Sequence, residues 1–71
     1  MEQGKIKIKL DTLIEQSGMS KLKFSYKADV SLRQVNAYCH NTIKQLDVDV
    51  LARICSTLNC TLDELLEYTQ E

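Results

Sequence analysis

The chain has 71 residues with nine Lys and Arg, ten Asp and Glu, one His and three Cys, and its formal net charge is −1. This length holds one hydrophobic core, so we expect a single domain over residues 1–71. The 44% hydrophobic content is enough for a folded core. This content excludes a disordered chain. No apolar run approaches the roughly 20 residues of a membrane span, so a membrane helix is also excluded.

The charges are unevenly distributed along the chain. Residues 1–46 carry eight basic and four acidic side chains, a net charge of +4. Residues 47–71 carry one basic and six acidic side chains, a net charge of −5. This asymmetry indicates a polyanionic partner for the front part of the chain.

The first predicted element is a short strand. Residues 5–10, KIKIKL, alternate charged and apolar side chains, which puts Ile6, Ile8 and Leu10 on one face of an extended segment. A first helical turn is the alternative interpretation. Asp11 is then expected to cap a helix that ends at Gly18.

A second, short helix is predicted over residues 21–28. Ser20 is a suitable N-cap for it. Asp29 and Val30 interrupt the helical pattern after residue 28. The inner face of this helix is expected to comprise Leu22, Phe24, Ser25 and Ala28.

A third helix follows after a break of three residues. Ser31 is the expected N-cap, and Gln34 has the spacing of a capping box. Val35 and Tyr38 are predicted to face inward, and Asn41 to end the helix in the left-handed conformation. A polar loop over residues 41–46 separates it from the next helix.

Two more helices are predicted in the last third of the chain. Asp47 caps the fourth and Asn59 ends it, while Thr61 and Glu64 form a capping box that starts the fifth. Apolar residues recur at helical spacing in both, at Leu51, Ile54, Cys55 and Leu58, and then at Leu62, Leu65 and Leu66. Five short helices with short connections predict a compact all-α bundle.

Residues 20–41 have the spacing of a helix-turn-helix. Ser25 is small enough for the close crossing of the two helices, Asp29 tolerates the positive φ of the turn, and Val30 supplies an apolar plug. At these residues the chain resembles the Cro/phage-repressor type of helix-turn-helix, the XRE-like family, over about residues 10–67. The segment LARIC-STLNC-TLDELL resembles the fourth and fifth helices of that family. The family commonly has Gly where Asp29 stands.

The resemblance implies a lambda-repressor-like fold and a sequence-specific transcriptional regulator that binds double-stranded DNA, typically as a homodimer. It makes residues 31–40 the recognition helix in the major groove. The base contacts it implies are Leu32, Arg33, Asn36 and Ala37. The phosphate contacts are Ser20, Lys21, Ser31, His40, Asn41 and Lys44.

The cysteines do not form a metal-binding pattern. Cys39, Cys55 and Cys60 are odd in number and contain no C-x-x-C pair, so a site built from them and His40 is disfavoured and three reduced thiols in a cytoplasmic protein are expected. We expect no metal, cofactor, membrane contact or small-molecule substrate. Neither a nucleophile–histidine–acid arrangement nor a phosphate-binding glycine loop is present, so the sequence does not indicate an enzyme.

A second function remains open at this stage. A protein-interaction module of the same fold, similar to an antirepressor, has the same sequence pattern without DNA binding. The negative charge of Asp29 near the turn, the presence of Cys39 near the position where the family often has an acidic residue, and the modest +4 charge of the front part favour this alternative.

Overall fold

A computed structural model describes residues 4–70 of the chain. Within them lie five helices, as predicted, and two short strands rather than one. In chain order they are β1 (Lys5–Ile8), α1 (Leu10–Ser17), α2 (Lys21–Ala28), α3 (Leu32–Cys39), α4 (Val48–Leu58), α5 (Leu62–Leu65) and β2 (Leu66–Thr69).

The two strands form an antiparallel sheet in which Ile8 lies opposite Leu66. The predicted strand is confirmed, but it ends at Ile8, and Leu10 begins α1 instead of continuing it. The placement of Leu66 in the fifth helix was wrong. Leu66 has an extended backbone, with φ −116° and ψ 143°, because it pairs with Ile8 in the sheet and does not continue α5.

The start of α1 also differs from the prediction. Lys9, not Asp11, is the N-cap, and it makes no capping bond through its side chain. The Lys9 N–H donates to the Leu65 carbonyl at 2.7 Å. This bond holds Lys9 against the end of α5, and α1 begins at the next residue, Leu10. Asp11 lies in the first turn and accepts from the Thr12 N–H at 2.8 Å.

The other predicted helix ends are confirmed, with one qualification. Ser20, Ser31, Asp47 and Thr61 all accept backbone N–H bonds at helix starts, and Gly18, Asn41 and Asn59 have positive φ at or just beyond helix ends. The capping box of Thr61 and Glu64 is complete. The Gln34 side chain instead accepts from the Ser31 hydroxyl at 3.4 Å, so the reciprocal half of that box does not form as predicted.

The core contains Ile8 of β1 together with residues from the helices and from the turn at Val30. Its fully buried large side chains are Leu10, Phe24, Val35, Tyr38, Ile54 and Leu65. Leu22 was wrongly assigned to the inner face of α2 and is 48% exposed, because it lies about 200° around the helix from Phe24. Leu62, whose helical spacing with Leu65 predicts an inward-facing side chain, is 53% exposed at the start of α5.

The helices are short. The longest of them, α4, has 11 residues, and among residues 4–70 no helix is long and apolar enough to cross a membrane.

Candidate nucleic-acid interface

The four residues predicted to contact bases lie together along one side of α3. Their spacing, 32, 33, 36 and 37, defines a single stripe on a helix. Leu32 and Arg33 are exposed, and Asn36 and Ala37 are half-buried. Among the described residues the Arg33 side chain has no hydrogen-bond or ion-pair partner, so its guanidinium is available to a ligand.

The opposite side of α3 is anchored in the core. Val35, Tyr38 and Cys39 are buried there, in the same cluster as Phe24 and Ala28 of α2. The Tyr38 hydroxyl also accepts a hydrogen bond from the Asp47 N–H at 3.2 Å, which ties α3 to the start of α4. The α3 stripe is therefore presented by a helix whose orientation is fixed by packing against α1 and α2 and by the hydrogen bond to the start of α4.

The turn between α2 and α3 is built as the sequence predicted. Asp29 is left-handed, with φ 57° and ψ 44°, and Val30 is buried beneath it. Ser25 is buried at 5% exposure, and its hydroxyl donates to the Leu22 carbonyl at 2.6 Å. This small, internally satisfied side chain allows the close approach of α2 and α3.

The residues predicted to contact phosphates lie at helix ends and in the loop after α3. The Ser20 and Ser31 hydroxyls accept from the N–H groups of Lys23 and Gln34, at 3.1 and 3.2 Å. Lys21, at the first position of α2, is half-buried, whereas His40 and Lys44 are exposed. The Ser20 hydroxyl occupies the Lys23 N–H, and the N–H groups of Lys21 and Leu22 at this helix start have no helical acceptor, an arrangement suited to an anion.

Asn41 has a role that the sequence did not predict. Its side-chain Oδ1 accepts from the Ile8 N–H at 2.6 Å, and its Nδ2 donates to the Ile8 carbonyl at 3.1 Å. The side-chain amide thus occupies the place of a neighbouring strand on the outer edge of β1. It joins the sheet to the C-terminal end of α3.

Arg53 was also missed as a functional residue. Its Nη1 donates to the Asp29 carbonyl at 2.8 Å and lies 3.9 Å from the Asp29 carboxylate, while its Nη2 lies 2.9 Å from the Asp49 carboxylate. Arg53 therefore binds the turn from α4 and offsets the charge of Asp29. The i, i+4 spacing of Asp49 and Arg53 is a sequence signal for their pair, but nothing in the sequence links either residue to Asp29.

The family model described as the Cro/C1-type HTH DNA-binding domain matches residues 9–71. The chain belongs to this family. The match places it among non-enzymatic DNA-binding domains, as the sequence predicted, and it includes the helix-turn-helix of α2 and α3.

Solved structures support the fold of this Cro/C1-type domain. The chain is similar to the protein in the crystal structure titled transcriptional regulator VanUg, Form II, with a TM-score of 0.75 and 22% identity. The alignment covers 100% of this chain and 93% of that one. This likeness shows the lambda-repressor-like fold. No curated protein matches the chain.

The three cysteines of this Cro/C1-type domain are free thiols. Burial behind α3 raises the pKa of the Cys39 thiol, although the charge of Lys21 acts in the opposite direction. Burial, followed by the neighbouring Cys55, raises the pKa of Cys60 to about 11. Both thiols are therefore protonated at neutral pH and are poor nucleophiles. Within residues 4–70 no three His, Cys, Asp or Glu side chains are grouped to hold a metal ion.

Proposed function

We propose that this Cro/C1-type domain is a sequence-specific transcriptional regulator that reads base edges with α3. The observation that carries the proposal is the single solvent-facing stripe of α3, with an unpartnered Arg33 in its first turn. The Arg33 guanidinium donates two hydrogen bonds to one guanine, and the Asn36 side-chain amide forms hydrogen bonds with the edge of an adenine. Leu32 and Ala37 contact thymine methyl groups.

The phosphate contacts position this helix on the duplex. Lys21, Lys44 and His40 supply side-chain donors, and Ser20 and Ser31 supply hydroxyl groups beside the helix starts. Asn41 retains one amide hydrogen for a phosphate after it has bonded Ile8. These six residues flank the stripe at both ends of the helix-turn-helix.

The charge distribution supports a single DNA-facing side. The helix-turn-helix lies in the segment with a net charge of +4, and the acidic segment of −5 comprises α4, α5 and β2. A small positive excess gives modest non-specific affinity. We therefore infer that the regulator acts as a homodimer, which doubles the base contacts of one short helix. Its three free thiols are consistent with the reducing cytoplasm as its location.

The alternative function, an interaction module without DNA binding, depended in part on the charge of Asp29. In the fold this carboxylate lies beside the Arg53 guanidinium, which in turn pairs with Asp49. Because Arg53 is shared with Asp49 and the Asp29 side chain is exposed, the ion pair offsets the charge of Asp29 only in part, and Asp29 is a somewhat weaker obstacle to a polyanion than the sequence suggested.

Salt dependence of duplex binding tests the proposal and separates it from the alternative. We expect the logarithm of affinity to fall linearly with the logarithm of salt concentration, with a slope of about −0.9 per phosphate contacted. Lys21→Ala should make the slope shallower by about 1. Lys27→Ala removes the same charge at a position outside the predicted contacts and serves as the matched control. Absence of duplex binding at low salt would refute the proposal.

A further inference from the structure

The outer edge of β2 is not paired with another strand among the described residues. The sheet consists of β1 and β2 alone. On the outer edge of β1, Asn41 occupies the N–H and carbonyl of Ile8. Within residues 4–70, no side chain covers the outer edge of β2 in this way.

The bonds of Ile8 fix which backbone groups point out of the sheet. The N–H and carbonyl of one strand residue point to the same side, so those of Ile8 point away from β2, and Ile8 and Leu66 form a non-hydrogen-bonded pair. The Lys9 bond to the Leu65 carbonyl agrees with this alternation. By the same alternation, the N–H and carbonyl of Tyr68 point outward from the free edge of β2.

The Tyr68 side chain leaves that edge open. A Cβ atom at Gly4 would collide with the Tyr68 ring, so the ring lies across β1 on the side away from the free edge. Tyr68 is nevertheless 63% exposed, and Ile6, its partner across the sheet, is 54% exposed. One face of the sheet thus carries two apolar side chains beside an open backbone edge.

Charge decides which edge accepts a second copy of the chain. Self-pairing of β1 about Ile6 would put Lys5 of each copy opposite Lys7 of the other, and like charges in this position are destabilising. Self-pairing of β2 about Tyr68 puts Glu67 opposite Thr69 instead. A shift that centres the pair on Glu67 would bring two carboxylates together, so the register about Tyr68 is favoured.

We propose that β2 pairs with β2 of a second copy about a twofold axis at Tyr68, giving a continuous four-stranded sheet. This inference rests on the proposed function, since it supplies the interface of the homodimer. Each Tyr68 N–H donates to the Tyr68 carbonyl of the other copy, and Leu66 lies opposite Gln70. The interface is isologous, as a twofold dimer requires.

The sheet geometry sets the separation of the two helix-turn-helix units in this dimer. With strands about 4.8 Å apart and a rise of about 3.3 Å per residue, the axis at Tyr68 puts the two Asn41 side chains about 27 Å apart in a flat sheet. Half-sites one turn apart on a duplex are separated by about 34 Å. Because Asn41 follows α3 closely, the two recognition helices lie near the outer ends of the four-stranded sheet, on opposite sides of the twofold axis.

Sedimentation of the full chain without DNA tests the interface. Tyr68→Pro removes the outward N–H without removing a bond between β1 and β2, and Pro is tolerated on edge strands. Ile6→Pro removes the outward N–H of β1 and is the matched control. Loss of two ordinary hydrogen bonds predicts a dimer roughly thirtyfold weaker for Tyr68→Pro, and unchanged association for Ile6→Pro. Circular dichroism checks that both variants fold.

Disulfide trapping tests the register independently. Residues 67 and 69 of opposite copies form a non-hydrogen-bonded pair about 4.5 Å apart at Cα, within reach of a disulfide. We expect a mixture of Glu67→Cys and Thr69→Cys chains to cross-link, and a mixture of Glu67→Cys and Lys5→Cys chains to remain at the wild-type level.

A monomeric wild type at every concentration, or a Tyr68→Pro variant that associates like the wild type, would overturn the interface. Duplex binding is measured separately at low salt. A chain that dimerises through β2 but binds no duplex would refute the proposed function and leave the interface standing. A chain that binds duplex but stays monomeric would refute the interface and leave the DNA-binding function standing.

Discussion

Three residues other than glycine have positive φ in the described chain, Asp29, Asn41 and Asn59, and each lies at or just beyond the end of a helix. All three are Asp or Asn, the side chains that best tolerate the left-handed region after Gly. Asp29 is the one with consequences for DNA binding, because it sets the angle between α2 and α3. Its carbonyl and carboxylate are both near Arg53, so its backbone conformation and its charge are stabilised by the same side chain.

Substitutions of Asp29 separate the backbone cost from the ion pair. Asp29→Ala and Asp29→Gly both remove the carboxylate, but only Ala has a Cβ atom in the left-handed conformation. We expect Asp29→Ala to be about 1 kcal/mol less stable than Asp29→Gly in urea unfolding. An Ala variant as stable as the Gly variant would show that the turn is not held at positive φ.

At the scale of elements, the helices and most of their caps were predictable from the sequence because their signals are local. Ser20, Ser31, Asp47 and the Thr61–Glu64 box each act within three or four residues. The second strand was not predictable in this way. Leu66 has the spacing of one more helical residue, and only its distant partner Ile8 makes it extended.

The side chains of the site show the same division. The stripe on α3 followed from helical periodicity, whereas the contacts of Asn41 with Ile8 and of Arg53 with Asp29 span 33 and 24 residues. Contacts of this range depend on how the elements pack. The periodicity of the sequence carries no signal for them.

The Asn41 contact makes a prediction about how the sheet is attached to α3. Asn41→Gly keeps the left-handed conformation but removes both bonds to Ile8, and Asn41→Asp removes only the bond to the Ile8 carbonyl. We expect the Gly variant to lose about 1–2 kcal/mol of stability. In hydrogen exchange, the Ile8 amide should lose protection in the Gly variant and keep most of it in the Asp variant. The Lys9 amide, bonded to Leu65, is the internal control; equal loss at both amides would contradict the assignment.

At the scale of the whole molecule, the basic segment (residues 1–46) and the acidic segment (residues 47–71) contribute different parts of the fold. The basic segment contains the sheet strand β1 and the helix-turn-helix, and the acidic segment packs behind it. A net charge of −1 is therefore compatible with a DNA-binding domain, because only one side of it faces the polyanion. Because the excess of positive charge is low, we expect most of the affinity to come from base contacts and from the second subunit proposed above.

The central claim is that α3 reads sequence through Arg33, and selection of binding sites from random duplexes tests it most directly. The wild type should enrich a motif with a defined guanine, and Arg33→Ala should lose the preference at that position, at a cost of about 1–3 kcal/mol for the wild-type site. Lys44→Ala, a predicted phosphate contact, should enrich the same motif with weaker binding throughout. Enrichment of the same motif with the same stringency by Arg33→Ala would contradict the account.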